Sequence, residues 1–300
     1  MYEEFYNLKD RPFTLSPDPS FLFLGKSHSR AMEILEYGIA SDAGITVISG
    51  EVGTGKTTLV RNLLEQLGDD VSVGLITNTQ QSFGDLLKWV LLSYEIETEE
   101  TDHIKLYQIF VEFITREHRA GRRVILIIDE AQNLGVEALE DIRMLTNINV
   151  DKTLVLQLVL VGQPELVGLL RKKELRQFAQ RVSADYFLQP LTFEETEQYI
   201  KHRIIVAGGD ENLFRPTAYA TVFYHSGGIP RVINTICDMA LVYAFADEAP
   251  RIRKEIVLDA IRDRKIGGLV IREDQPINQA AKNLRRQILN KTGVDIAEIG

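Results

Sequence analysis

The stretch Gly50-Glu51-Val52-Gly53-Thr54-Gly55-Lys56-Thr57 places three glycines, a lysine and a threonine within eight residues. Glycines at that density let the backbone turn tightly and aim several N–H groups into one concavity, where an anion binds. The run Ile45-Thr46-Val47-Ile48-Ser49 before it reads as a buried strand, and Leu59, Val60, Leu63, Leu64 and Leu67 after it recur at helical spacing. Strand, glycine-rich turn and helix are the setting that a phosphate-binding loop requires. There Lys56 neutralises the outer phosphates and Thr57, followed by Thr58, puts its hydroxyl on Mg²⁺, while the helix N-terminus adds its positive end. The plain alternative, a glycine turn beside a chance lysine, leaves the flanking strand and helix unexplained.

A second group follows the apolar run Val124 to Ile128, which ends in Asp129 and Glu130. Asp129 is placed to join the Mg²⁺ shell and Glu130 to orient and polarise a water, so the pair predicts hydrolysis of a nucleotide and not binding alone. Asp129-Glu130-Ala131-Gln132 also reads as a helicase box, but a helicase of that kind needs two such α/β domains and the chain has room for one. The run Leu154 to Val161 ends in Gly162-Gln163, which sets an amide beside the γ-phosphate if this strand lies between the two motif strands. Asn78, after the second strand, is placed to restrain Glu130 in a similar way. An ordinary strand-end residue and a loop cap are the bland readings of Gln163 and Asn78.

The elements that must position these groups alternate β-rich runs with helical patterns, the signature of a parallel sheet covered on both faces. Strands are expected near 45–49, 71–77, 124–128, 154–161 and 185–188. After Pro190 the β-runs stop: Thr192-Phe193-Glu194-Glu195 is a capping box opening a helix to about Val206, Pro216 starts a second helix ended by Gly227-Gly228, and helices near 230–247 and 253–263 follow. Ile277, Ala281, Leu284 and Ile288 mark a weakly amphipathic helix in a polar tail. The division expected is an N-terminal segment over 1–40 packing on the nucleotide core, an α/β nucleotide domain over 41–190, a helical lid over 191–266 and a tail over 267–300. Trp89 and the aromatics from Tyr107 to Phe113 read as helix-face core, and Cys237 and His225 as lid packing.

With 300 residues, 45% hydrophobic and 26% charged, the composition is ordinary for a globular chain with a sizeable core. A formal charge of −9 argues against a globally basic nucleic-acid binder. The single cysteine permits no internal disulfide, and the five histidines lack ligand spacing, so a reducing cytoplasm and no structural metal are expected. Met1 to Glu4 is acidic with no apolar run after it, and no apolar run approaches the roughly 20 residues of a membrane span.

Leu175-Arg176-Gln177-Phe178-Ala179-Gln180-Arg181 before the fifth strand and Gly228-Ile229-Pro230-Arg231 at a lid helix, taken with the groups above, resemble the AAA+ ATPases. The resemblance implies a five-stranded parallel sheet ordered 5-1-4-3-2, Gln163 as the sensor 1 residue, Arg231 as a sensor 2 arginine acting within its own chain, and Arg181 as a finger arginine given to a neighbouring subunit, with Arg176 its rival. The N-terminal Tyr6-Asn7-Leu8-Lys9-Asp10-Arg11-Pro12-Phe13, joined to "GEVGTGKTTL", "IIDEAQNL", "LVLVGQPEL" and "GGIPRVIN", is similar to the ExeA/GspA family of secretion-associated AAA+ ATPases and its relatives in pilus biogenesis and exopolysaccharide export. That likeness covers roughly residues 1–265. It implies ATP and Mg²⁺ as cofactors, Pro12 and Phe13 in the adenine pocket, self-association into a ring or filament, envelope assembly partners, and a cytoplasmic place at the inner face of the inner membrane. Such proteins often continue into a membrane span and a peptidoglycan-binding domain; neither is in these 300 residues, so cell-wall binding is not expected of them. The same branch holds TniB/TnsC-type transposition regulators, which leaves an ATP-dependent DNA-binding switch as the second hypothesis. A monomeric nucleotide kinase conflicts with Glu130 and with two candidate arginines outside the loop.

Overall fold

The computed structural model describes residues 1–15, 19–40, 44–77, 86–150, 153–263 and 279–298. The chain divides into two compact units: one is His28–Val52 with Lys56–Gln189, the other Met1–Ser27, Gly53–Gly55 and Pro190–Gly300.

The first unit is built on a parallel sheet of β1 (Ile45–Gly50), β2 (Val71–Ile76), β3 (Arg123–Ile128), β6 (Leu156–Gly162) and β7 (Val182–Leu188). Its order is β2-β3-β6-β1-β7, the arrangement the family resemblance implies. The three central strands are apolar on both faces because helices cover both sides. Ile48, Ile125, Ile127, Val159 and Val161 face α3 (Lys56–Gln66) and the His28–Ala40 part of α2 (Lys26–Ala40), where Leu35, Leu59 and Leu63 are buried. The alternate residues Val47, Leu126, Leu158 and Leu160 face α4 (Leu86–Ser93), α5 (His103–Arg119), α6 (Val136–Leu145), α7 (Pro164–Leu170) and α8 (Arg176–Ala179). Registers Ser49↔Gly162 and Ile128↔Leu160 bring the ends of β1, β3 and β6 to one edge of the sheet.

Three features differ from the sequence reading. The run expected as one strand over 154–161 is broken: Thr153–Leu154 (β5) pairs antiparallel with Asn149–Val150 (β4), and the sheet strand begins at Leu156. β7 starts at Val182, three residues before its expected start, because an edge strand half-open to water carries polar residues such as Ser183 and Asp185 that hide it. Phe110 and Phe113 are core as expected, but Tyr107 and Trp89 are 38% and 37% exposed.

The second unit gathers α9 (Phe193–Val206), α10 (Pro216–Ser226), α11 (Pro230–Ala246) and α12 (Lys254–Arg262) around Tyr199, Ile200, Phe214, Ile233, Cys237 and Val257. Both halves of the capping box form: Thr192 Oγ1 accepts from Glu195 N at 3.2 Å and Glu195 Oε2 accepts from Thr192 N at 2.9 Å. The N-terminal residues Met1–Ser27 group with this unit. Tyr2 and Tyr6, with Leu8, Phe13 and Phe21, are buried among these helices; the Tyr2 hydroxyl donates to Asp238 at 2.6 Å and that of Tyr6 to the Ala249 carbonyl at 2.9 Å. An apolar segment declares that it packs but not against what, and only the chain from His28 onward joins the sheet. The tail helix α13 (Gln279–Thr292) docks on α10: Ala281 and Ile296 are buried beside Phe223 and Tyr224, and Arg285 pairs with Asp295 through bonds of 2.9 and 2.7 Å. Ile277 lies outside the described residues. His225 is half-buried, and the loss of solvent around its ring pushes its imidazole down to about 4, while burial of Cys237 pushes its thiol up. Among the described residues no helix is long and apolar enough to cross a membrane.

Candidate nucleotide site

The buried strand β1 ends at Gly50 and α3 opens at Lys56, so the five residues between them must reverse the chain. They do so through Gly53 at φ 81° and Gly55 at φ 98°, in the left-handed region that favours glycine. Lys56 is 6% exposed, and its Nζ donates to the carbonyls of Gly50 at 2.7 Å and Glu51 at 2.9 Å. Burial lowers the pKa of Lys56, opposed by the charges of Glu130, Asp129, Glu51 and Glu165. Next to it, the Thr57 hydroxyl donates to Asp129 Oδ2 at 2.6 Å. Asp129 is anchored at the end of β3 by its N–H, which donates to the Ile76 carbonyl at 2.8 Å, and its Oδ1 accepts from Glu130 N at 2.9 Å.

Glu130 sits in the left-handed region, at φ 54° and ψ 35°. Its Oε2 accepts from Gln163 Nε2 at 3.0 Å and from Gln132 Nε2 at 2.6 Å. Thr57, Asp129 and Glu130 line a cavity of about 310 Å³ together with Val60, Arg61, Leu75 and Thr77. The chemistry of this donor set fits a polyphosphate carrying a divalent cation: a glycine-bent loop, a buried cation with backbone partners, and a hydroxyl paired with a carboxylate. Among the described residues no cluster of three or more His, Cys, Asp or Glu side chains forms a metal site of its own, so a cation here would share its ligands with the phosphates.

The remaining sequence candidates fall in different places. Arg231, the second residue of α11, donates its backbone N–H to the Gly53 carbonyl at 3.2 Å. That helix start is held by Gly228, at φ 79°, whose carbonyl accepts from Leu191 N at 2.9 Å. Phe13 is 2% exposed and packs edge-on against Phe214, and the Pro12 carbonyl accepts from Arg203 Nε. Arg181 and Arg176 are exposed. Arg181 precedes β7 at the edge of the sheet where β1 begins, with Val182 opposite Ile45, and its guanidinium donates to Thr146 Oγ1 at 3.2 Å. Asn78 lies outside the described residues.

The AAA domain family model matches residues 39–170, from the end of α2 through β1, β3 and β6 to the end of α7. General secretion pathway protein A of Aeromonas hydrophila is 40% identical over 247 residues, 82% of this chain. Residues 39–170 carry the AAA domain. Over most of its length the chain is GspA-like, and it spans about half the length of that relative, 45%. The chain also shares its fold with the ORC2 protein of Aeropyrum pernix in its ADP form, at a TM-score of 0.62 and 17% identity over 85% of this chain and 73% of that one. Cdc6p of Pyrobaculum aerophilum gives 0.61 at 16% identity over 83% and 71%. One residue of the site has no role in the sequence reading. In the sequence Gln132 stands out only as the end of the helicase-like Asp129-Glu130-Ala131-Gln132, and its signal is spatial, since its partner Gln163 lies on another strand end.

Proposed function

We propose that this GspA-like ATPase binds ATP with Mg²⁺ and hydrolyses it to switch its self-association or its contacts with components of an envelope secretion or assembly system at the cytoplasmic face of the inner membrane. The observation that carries hydrolysis is the meeting of the Thr57–Asp129 pair with the amide-held carboxylate of Glu130 at one edge of the sheet. The secretion setting rests on the relative's name.

In this reading the loop from Gly50 to Thr58 wraps the phosphates, Lys56 neutralises their charge, and Thr57 and Asp129 hold the cation. Magnesium, when bound, supplies charge neutralisation across the phosphates. Glu130 holds and polarises the attacking water, Gln163 offers its amide to the outer phosphate, and Asn78 restrains Glu130 from the β2 side. Arg231 serves the nucleotide of its own chain, Arg181 that of a neighbour, and Pro12 and Phe13 stand near the adenine. The run Arg171, Lys172, Lys173, Arg176 and Arg181, all exposed, favours a second reading as a DNA-bound switch, marked by ATP-dependent duplex binding that falls steeply with salt.

The test separates binding from chemistry. Lys56→Ala should lose ATP binding in a fluorescent-nucleotide titration, whereas Glu130→Gln should bind ATP and release almost no phosphate. Hydrolysis by Glu130→Gln at the wild-type rate would remove Glu130 from the role.

A further inference from the structure

Gln132 stands in the short helical turn Ala131–Asn133, two residues after the carboxylate that the proposed hydrolysis depends on. Its side-chain amide is used at both ends. The Oε1 accepts from the backbone N–H of Gln163 at 2.9 Å, and the Nε2 donates to Glu130 Oε2 at 2.6 Å. This fixes the orientation of the amide: turned over, its NH₂ would oppose an N–H and its oxygen would oppose a carboxylate. The seat is shaped for it, because a Cβ on Gly162 would stand 2.8 Å from Gln132 Oε1 and 2.9 Å from Leu166 Cδ2. Gly162 closes β6, so the end of that strand, the amide of Gln132 and the carboxylate of Glu130 form one connected unit.

We infer that Gln132 is a positioning residue for Glu130, tying its carboxylate to the end of β6 so that it holds the attacking water in line. The inference rests on the hydrolytic reading of Glu130. Two amides share Oε2, and they are not equivalent. Gln163 is the residue expected to turn toward a phosphate, and Gln132, anchored by its own acceptor bond, keeps the carboxylate in place when it does. At φ 54° the left-handed backbone turns the Glu130 side chain off the strand direction, toward the two amides. Gln132 makes none of these bonds to the phosphate loop, so its loss should leave nucleotide affinity alone.

The decisive variant is Gln132→Met, close in length and without donor or acceptor. Expected is a kcat lower by about 10- to 100-fold, the size of one lost hydrogen bond to a charged group, with KM and the dissociation constant for ATP unchanged. Gln132→Glu, which sets a second carboxylate against Glu130, should fall at least as far while still binding ATP. Placed on Glu130→Gln, Gln132→Met should cost nothing more, because the carboxylate it positions is gone. Independently of turnover, the side-chain amide resonance of Gln132 in nucleotide-free protein should move when Glu130 becomes Gln. A wild-type kcat in Gln132→Met, or a raised KM with kcat intact, overturns the positioning role. Full activity in Glu130→Gln overturns the hydrolytic reading beneath it, and is recognised because it appears whatever residue stands at 132.

Discussion

At the scale of single residues, Gly53 shows how tightly the loop is specified. It has φ 81°, and a Cβ there would lie 2.7 Å from the Cβ of Arg231. Both the backbone and the space demand glycine, so Gly53→Ala should carry a strain of about 1–3 kcal/mol and weaken ATP binding roughly tenfold or more. The control is Gly121→Ala, at φ 74° with open space around it, which should lower stability and leave ATP affinity unchanged in the same titration. Lys56, Thr57, Asp129 and Glu130 were legible in the sequence because each motif is local: a glycine-rich turn after one strand, two carboxylates after another. Gln132 was not, because its meaning depends on β3 lying beside β6, which sets it next to a residue 31 positions away.

At the scale of elements, α5 is tied to the sheet by one buried carboxylate. Glu117 is 4% exposed and accepts from Arg122 at 2.6 and 2.9 Å and from the Ser72 hydroxyl of β2. The Arg122 hydrogen bonds, with those of Ser72 and Arg116, hold its carboxyl at about 2 against an ordinary 4.5. A depressed folded-state pKa contributes stability that is complete above about 4.5 and is lost as the pH falls toward about 2. Glu117→Gln should therefore lower Tm by a few degrees at pH 7, and the gap between variant and wild type should close as melts are taken from pH 5 down to pH 3. An equal gap at every pH would assign the effect to packing alone. Helices with strong end signals were readable at this scale, as in Thr192–Glu195 and Pro216–Gly227. The start of β7 and the β4–β5 hairpin were not, since short or edge strands are defined by their partners and carry little pattern of their own.

At the scale of the whole molecule, the proposed role of Arg181 toward a neighbouring subunit can be tested directly. Arg181 stands where β1 begins, while the phosphate loop follows the end of β1, and a six-residue strand spans about 20 Å. A guanidinium there cannot reach the loop of its own chain, which is in keeping with the proposed role toward a neighbour's nucleotide. Hydrolysis per subunit should rise with protein concentration. Arg181→Ala should bind ATP yet hydrolyse roughly 10³-fold more slowly, and mixing it with Lys56→Ala should restore part of the rate. A rate independent of concentration with no rescue on mixing would pass the question to Arg176. The sole cysteine gives these experiments a built-in clock. Cys237 is fully buried in the helical core with its thiol held protonated, so a thiol reagent should label the native protein only as fast as that core opens. Slow labelling would time the breathing of the helical unit with and without ATP. A second thiol engineered onto the exposed surface, at Gln180 beside Arg181, would react first and alone, a clean handle for watching subunits meet.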